Sequence, residues 1–240
     1  MIPPADPSTR RSIRRLFNTD SSLTLLLISL FVFLFLLYPF SKPGEVSDYL
    51  LDALALIVLI SGAYTVSNHR GVLFMCIGLA VATFTTQILL YTHPNLLLLT
   101  LRAAFLILFL FLVSGAVLFR VLREGPVTAH RVAGAVAIYL VLGLIWANAY
   151  TIVFIHDPSS FDLGRPIEAT DEFAEIQTTV ASRMIYFSFV TITTLGYGDV
   201  KPQSEAAETL AILEALTGQV YLVVILARMV SLLVGRRDSG

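Results

Sequence analysis

One short string, TTLGYGD at 193–199, has the clearest chemical meaning in this chain of 240 residues. Two glycines, Gly196 and Gly198, flank a tyrosine there, and glycine adopts backbone conformations that are closed to other residues. Alternating glycines therefore allow successive carbonyl groups to point the same way. Four such strands around one axis would stack rings of carbonyl oxygens, and the Thr194 hydroxyl would add a ring at the inner end. Rings of this kind replace the water shell of a dehydrated K⁺ ion.

The composition indicates that lipid surrounds most of the chain that positions this string. Apolar residues make up 56% and charged residues 14%, whereas soluble domains average about 25% charged residues. A lone cysteine, Cys76, excludes a disulfide scaffold, and the hydrophobicity excludes intrinsic disorder. With 16 Lys+Arg against 17 Asp+Glu, the chain has no basic domain and we expect no nucleic-acid partner.

Six apolar segments predict six transmembrane helices, since a helix of about 20 residues spans the hydrocarbon core. They cover 21–40, 46–66, 71–91, 96–121, 130–155 and 204–233. A semi-apolar segment at 178–193 is too short to cross. It predicts a re-entrant helix, which is tolerated only where protein or a water-filled cavity surrounds it.

The basic residues predict the orientation of these segments. With six crossings, ten arginines fall on one side: Arg10, Arg11, Arg14, Arg15, Arg70, Arg120, Arg123, Arg131, Arg236 and Arg237. Lys42, Arg165 and Lys201 fall on the other side, where the acidic loop 156–177 also lies. Because basic loops stay cytoplasmic, we expect both the basic segment 1–20 and the tail 236–240 on the cytoplasmic side of the membrane. That membrane is expected to be the plasma or inner membrane of the cell. We expect the first span to be retained, since no small-residue cleavage site follows it.

At this point the chain resembles the potassium-channel superfamily, whose filter reads TVGYG. The likeness extends from about Ser182 to Gly235 and includes the short helix SRMIYFSFVTIT, the filter string, Pro202 and an inner helix. It is similar to prokaryotic six-helix members. The resemblance implies an all-α membrane protein with six transmembrane helices and a pore domain at 130–235. One string per chain cannot close a ring, so three further copies must join it as a homotetramer.

The resemblance also implies the roles of the filter residues. Ion coordination falls to the backbone carbonyls of Thr194, Leu195, Gly196 and Tyr197. Support of the filter (194–199) falls to Thr193, Gly198, Asp199 and Tyr186, with the Tyr186 hydroxyl donating to Asp199. Tyr197 would brace the filter against the pore helix, 178–193. K⁺ is the permeant ligand, and no cofactor, other metal or enzymatic activity is expected.

Three residues depart from the family pattern. Leu195 replaces the usual valine, but only its carbonyl is used, so selectivity should survive. Val190 stands where some bacterial members place a glutamate behind the filter, so that carboxyl brake should be lacking. Lys201 lies at the outer mouth, where four lysines should weaken block by external quaternary ammonium ions through like-charge repulsion.

The first four helices, 21–123, resemble a voltage-sensor domain without its array of arginines. Only Arg102 lies in the outer third of the fourth helix. A buried arginine needs a partner, and a structural salt bridge with Asp52 is the favoured interpretation. We therefore expect weak voltage dependence.

Two residues of the inner helix, 204–233, are candidates for gating. Gly218 is either a hinge or a site of close helix packing. Glu214 lies one turn earlier, and a glutamate within a membrane is a functional candidate. It either braces the pore helix through a hydroxyl such as Thr191 or Thr193, or it faces water.

Two other classes of function are alternatives to a selective K⁺ channel. A weakly selective cation channel would share the same architecture. A transporter or a membrane-embedded enzyme is a different class. No internal repeat suggests a transporter, and the four histidines are scattered outside any HExxH motif.

Overall fold

The computed structural model describes residues 22–37, 47–66, 70–123, 127–164 and 173–234, and within these ranges the chain is almost entirely helical. Helix α1 covers 22–37 and ends as a π-helix over Val32–Leu37. The other helices are α2 Ser47–Thr65, α3 Arg70–Thr92, α4 Leu96–Leu122, α5 Ala129–His156, α6 Phe173–Ile192 and α7 Glu205–Val234.

Four helices of the described residues are long and apolar enough to span a membrane. They are Arg70–Thr92, Leu96–Leu122, Ala129–His156 and Glu205–Leu232. These helices make the chain a multi-pass membrane protein. The predicted first span, 21–40, extends beyond the residues that the structure describes, and six crossings stay a prediction.

Local capping explains where the long helices begin. The Asn95 side chain accepts a hydrogen bond from the Leu97 amide at the start of α4, and the Thr128 side chain accepts one from the Arg131 amide at the start of α5. Each cap satisfies an amide that lacks a partner within the helix. Pro158 follows the end of α5 and begins a 3-10 turn, Pro158–Ser160, because proline cannot continue the helix.

Within the described ranges, two apolar clusters hold the helices together. The larger one joins α1, α2, α4 and α5, with Leu30, Leu59, Val113 and Ile138 among its buried members. The smaller cluster lies around α6. Its buried residues are Tyr150, Phe154, Phe161, Leu163, Val180, Met184, Phe187, Val200 and Ala207.

Helix α6 packs against α5 and α7 and leads directly into the glycine string. It begins at Phe173, five residues before the predicted start at 178, so residues 173–177 are not loop as expected. They read Phe-Ala-Glu-Ile-Gln, a mixed stretch that continues the turn-rich segment before it, and Ala, Glu and Gln are strong helix formers. A short antiparallel ladder pairs β1, Phe161–Asp162, with β2, Lys201–Pro202.

Candidate functional site

The glycine string is tied to the end of α6 by its own amides. The Thr194 amide donates to the Thr191 carbonyl at 2.9 Å, and the Leu195 and Gly196 amides both donate to the Val190 carbonyl, at 2.9 and 3.2 Å. The last carbonyls of a helix have no partner within it. These bonds therefore satisfy the end of α6 and hold the string beside it.

The same bonds determine where the inner carbonyls of the string point. In a planar trans peptide the N–H and C=O groups point in opposite directions, and the described residues include no cis peptide bond. The Leu195 amide shares its peptide with the Thr194 carbonyl, and the Gly196 amide shares its peptide with the Leu195 carbonyl. Because both amides face α6, both carbonyls point away from it.

Every second residue of the string has a left-handed backbone. Thr194, Gly196 and Gly198 have φ angles of 59°, 60° and 73°. Thr194 is the only non-glycine residue with positive φ in the described ranges, a conformation that costs an L-residue about 1–2 kcal/mol. The sequence pattern identifies the two glycines but gives no sign of this strain at Thr194. Alternating handedness keeps successive peptides turned to one side, as a ladder of carbonyls requires.

The side chains of the string lie open in the single chain. Leu195 is 56% and Tyr197 is 68% exposed. The expectation that Tyr197 braces the filter against the pore helix stays a prediction, since the structure describes a single chain in which this ring is exposed.

The outer end of the string carries the predicted hydrogen bond between Tyr186 and Asp199. The Tyr186 hydroxyl donates to Asp199 Oδ2 at 2.8 Å, and the Val200 amide donates to Asp199 Oδ1 at 3.1 Å. The hydrogen bond from Tyr186, helped by backbone amides, lowers the pKa of Asp199 below its ordinary value. Asp199 therefore stays ionised at the outer end of the string.

The segment that follows α5 clamps this outer end, which sequence analysis did not foresee. The Gln203 amide donates to the Ser160 carbonyl at 2.8 Å. Gly164, with a φ of 70°, passes so close that a Cβ there would meet the Asp199 carbonyl oxygen. The ladder places Lys201 opposite Asp162, so this lysine is exposed beside an acidic residue. Pro158 and Gly164 marked a turn in the sequence, but nothing local indicated where it docks.

Three aromatic rings of the smaller apolar cluster contact one another. Tyr150, Phe161 and Phe187 meet edge to face, with ring centroids between 5.0 and 5.6 Å apart. They come from α5, β1 and α6. The trio therefore joins the outer helix and the clamp to the helix that carries the string.

Glu214 is fully buried between α5, α6 and α7, so the alternative in which it faces water is wrong. Its Oε2 lies 2.5 Å from the Tyr150 hydroxyl, and its Oε1 lies 2.5 Å from the Ser188 hydroxyl. The pore-helix hydroxyl is thus Ser188, not the expected Thr191 or Thr193. The Thr193 hydroxyl donates instead to the Phe189 carbonyl at 2.6 Å.

Gly218 lies against the end of α6. A Cβ at this position would be 2.7 Å from both the carbonyl oxygen and the Cγ1 of Ile192. The Tyr139 hydroxyl donates to that same carbonyl at 2.9 Å. Of the two interpretations left open by the sequence, this geometry favours close packing over a hinge.

Arg102 forms a hydrogen bond with a residue of α3. Its Nη1 donates to Gln87 Oε1, on α3, at 2.7 Å. The side chain of Asp52 lies outside the described residues, so the predicted salt bridge stays a prediction. Gln87 could not be predicted as a partner of Arg102, because an uncharged side chain gives no sign of pairing in the sequence.

Two of the histidines, His130 and His156, lie at hydrogen-bond distance from helix residues. His130 Nδ1 lies 2.7 Å from the Thr24 hydroxyl, and His156 Nδ1 lies 2.9 Å from the Ile152 carbonyl. Among residues with described positions, no group of three or more His, Cys, Asp or Glu side chains is arranged to hold a metal ion.

Comparison with known proteins adds an independent finding. The profile of a family described as "Ion channel" matches residues 106–235. Two-pore potassium channel 4 of Arabidopsis thaliana is 35% identical over 70 residues, which are 29% of this chain and 25% of that protein. Two pore potassium channel b of Oryza sativa subsp. japonica is 35% identical over 71 residues, 30% of this chain and 20% of that protein. The chain thus matches a quarter or less of these relatives. No solved structure matches.

Proposed function

The chain belongs to the ion-channel family, within the potassium-channel superfamily, and from that premise we propose that it conducts K⁺ selectively and passively. Membership in this family points to a channel rather than an enzyme. The observation that carries the selectivity proposal is the alternating backbone of 194–198, whose inner carbonyls point away from α6. The carbonyls of Thr194, Leu195, Gly196 and Tyr197 would then replace the hydration shell of K⁺. K⁺ is the permeant ligand, and no cofactor takes part.

A homotetramer would complete the pore. One chain supplies one strand of carbonyls, and a ring needs further copies around an axis. The exposed string supports this proposal, as does the apolar face of α7 opposite Glu214. That face presents Ile212, Leu216, Val220, Val223 and Leu226. Three further copies would cover its part near the axis, and lipid would cover the outer helices.

The proposed orientation follows from the charges. Six crossings with both termini in the cytoplasm place the arginine-rich connections inside and Asp199 and Lys201 at the outer mouth. The membrane is then the plasma or inner membrane of the cell.

Gating would depend only weakly on voltage. Moving one charge through 100 mV is worth about 2.3 kcal/mol, and steep sensors move three or four charges per subunit. Arg102 is the single charge available in the outer part of α4, and its bond to Gln87 of α3 supports a structural role.

Ion flux into proteoliposomes tests the proposal. We expect thallium or ⁸⁶Rb⁺ uptake by the reconstituted protein, and reversal potentials that favour K⁺ over Na⁺. Gly196→Ala should abolish this selectivity, because a side chain at a φ of 60° is strained. Gly78→Ala is the matched control, since a Cβ there would meet nothing within 4 Å.

The two rival functions predict different results. A weakly selective cation channel would give uptake with equal K⁺ and Na⁺ permeability. A transporter or an enzyme would give no passive uptake at all. Loss of selectivity in Gly78→Ala as large as in Gly196→Ala would contradict the filter assignment.

A further inference from the structure

A buried chain of oxygen atoms joins α5, α6 and α7 behind the filter. Tyr150 Oη lies 2.5 Å from Glu214 Oε2, and Glu214 Oε1 lies 2.5 Å from Ser188 Oγ. Ser188 Oγ in turn lies 2.7 Å from the backbone carbonyl oxygen of Gly143. The Tyr150, Ser188 and Glu214 side chains are all fully buried.

Three contacts at hydrogen-bond distance require three protons. The Gly143 carbonyl is an acceptor only, so the proton between it and Ser188 must be the serine's single hydroxyl proton. The tyrosine hydroxyl supplies the proton between Tyr150 and Glu214. No hydroxyl proton is left for the contact between Ser188 and Glu214. An ionised carboxylate has none to offer, whereas a protonated carboxyl group has one.

We propose that Glu214 is a neutral carboxylic acid whose Oε1–H donates to Ser188, and that it thereby positions α6 and the filter. The acid then accepts from Tyr150 through Oε2, and Ser188 donates to Gly143, so every group in the chain of oxygens is satisfied. An ionised Glu214 would leave one of these buried contacts without a proton and would also bury a charge, both of which are unfavourable.

The link to the filter is short. Ser188 lies two residues before Val190, whose carbonyl binds the amides of Leu195 and Gly196. Close approach fixes the register of α6 on α5, because a Cβ at Gly143 would be 2.9 Å from the Phe189 ring. Glu214 is therefore a positioning residue that acts through Ser188. This part of the inference rests on the proposed function, whereas the protonation of Glu214 does not.

Infrared difference spectroscopy of the reconstituted protein tests the protonation directly. At neutral pH the wild-type protein should show the carbonyl-stretch band of a protonated carboxylic acid, and Glu214→Gln should lack it. Glu208→Gln is the matched control, because Glu208 lies exposed on the same helix. The band should survive in that variant. A wild-type minus Glu214→Gln spectrum showing a carboxylate band instead would overturn the inference.

Flux measurements test the positioning role. Glutamine is an isostere of the neutral acid: its amide N–H can donate to Ser188 and its oxygen can accept from Tyr150. Glu214→Gln should therefore keep the K⁺-over-Na⁺ permeability ratio within about twofold of wild type, whereas Glu214→Ala should lower it by about tenfold or more, as loss of a buried partner predicts. A Glu214→Gln protein that assembles but loses selectivity would overturn the role.

The two measurements keep the inferences apart. If wild-type protein shows the carbonyl-stretch band of the protonated acid but no ion flux, the proposed function is refuted and the protonation of Glu214 is confirmed. If wild-type protein shows selective K⁺ flux but lacks the band, the protonation of Glu214 is refuted and the proposed function is supported.

Discussion

Replacement of Gly218 by alanine decides between the two roles that this glycine could have. A Cβ at Gly218 would lie 2.7 Å from the Ile192 carbonyl oxygen. Ordinary van der Waals contact begins near 3.4 Å, so α6 and α7 must separate by roughly 0.7 Å at this point. The Ile192 carbonyl lies at the end of α6 and has to move, which disturbs the hydrogen bond that it accepts from the Tyr139 hydroxyl at 2.9 Å. The displacement therefore falls on the end of α6, next to Thr193.

The energetic cost has two opposing parts. Overpacking of this kind costs about 1–3 kcal/mol, and exchanging glycine for alanine within a helix returns about 1 kcal/mol. Gly115→Ala, in α4, is the matched control, since a Cβ there would meet nothing within 4 Å and only the favourable part remains. We expect Gly218→Ala to be less stable than Gly115→Ala by about 1–3 kcal/mol.

Thermal unfolding of the detergent-solubilised protein, followed together with ⁸⁶Rb⁺ uptake, measures both consequences. Gly218→Ala should unfold at a lower temperature than Gly115→Ala and should lose K⁺ selectivity, because the filter begins beside the displaced residue. A Gly218→Ala protein as stable as the control, with unchanged selectivity and only slowed opening, would refute the packing argument and restore the hinge.

Three further predictions concern the outer mouth and the voltage response. Tyr186→Phe removes the hydrogen bond that lowers the pKa of Asp199, so the pKa of Asp199 should be higher in the variant. The charged carboxylate supports the filter only above its pKa, so K⁺ flux should fail at a higher external pH in the variant than in the wild type. Identical pH profiles would contradict this. Arg102→Gln should leave the slope of the conductance–voltage curve nearly unchanged, whereas a steep wild-type curve abolished by the substitution would show that Arg102 senses voltage. External tetraethylammonium should block the wild-type protein weakly and Lys201→Ala several-fold more strongly, since like charges repel; sub-millimolar block of the wild type would argue against this.

Local patterns in the sequence predicted the elements of the pore region closely. Helix α5 covers Ala129–His156 against a predicted 130–155, and α7 covers Glu205–Val234 against 204–233. Apolar runs of this length predict helices because lipid offers the backbone no other hydrogen-bond partner. The prediction was less accurate for α6, because its first turn is mixed in polarity and its start depends on helix propensity rather than on a continuous apolar run.

The partners of the polar residues depended on the relation between helices. One prediction from the sequence was that Glu214 contacts a hydroxyl of the pore helix, such as that of Thr191 or Thr193. The residue was wrong because no local pattern records how α6 is rotated against its neighbouring helices. Contact of the Phe189 ring with Gly143 of α5 constrains the rotation of α6, and in that rotation Ser188 meets the carboxyl group. The clamp around Gly164 and the bond from Arg102 to Gln87 were missed for the same reason.

Three features could be predicted without any structure: the string at 193–199 as a filter, the long helices around it, and the hydrogen bond from Tyr186 to Asp199. Each of these follows from glycine placement, from apolar length or from a family resemblance carried by a contiguous segment. The surroundings of Glu214, in contrast, depend on how the helices pack. Its partners Ser188 and Tyr150 lie 26 and 64 residues away along the chain. Residues so far apart meet according to how side chains interdigitate between helices, and close packing makes that choice collectively rather than residue by residue.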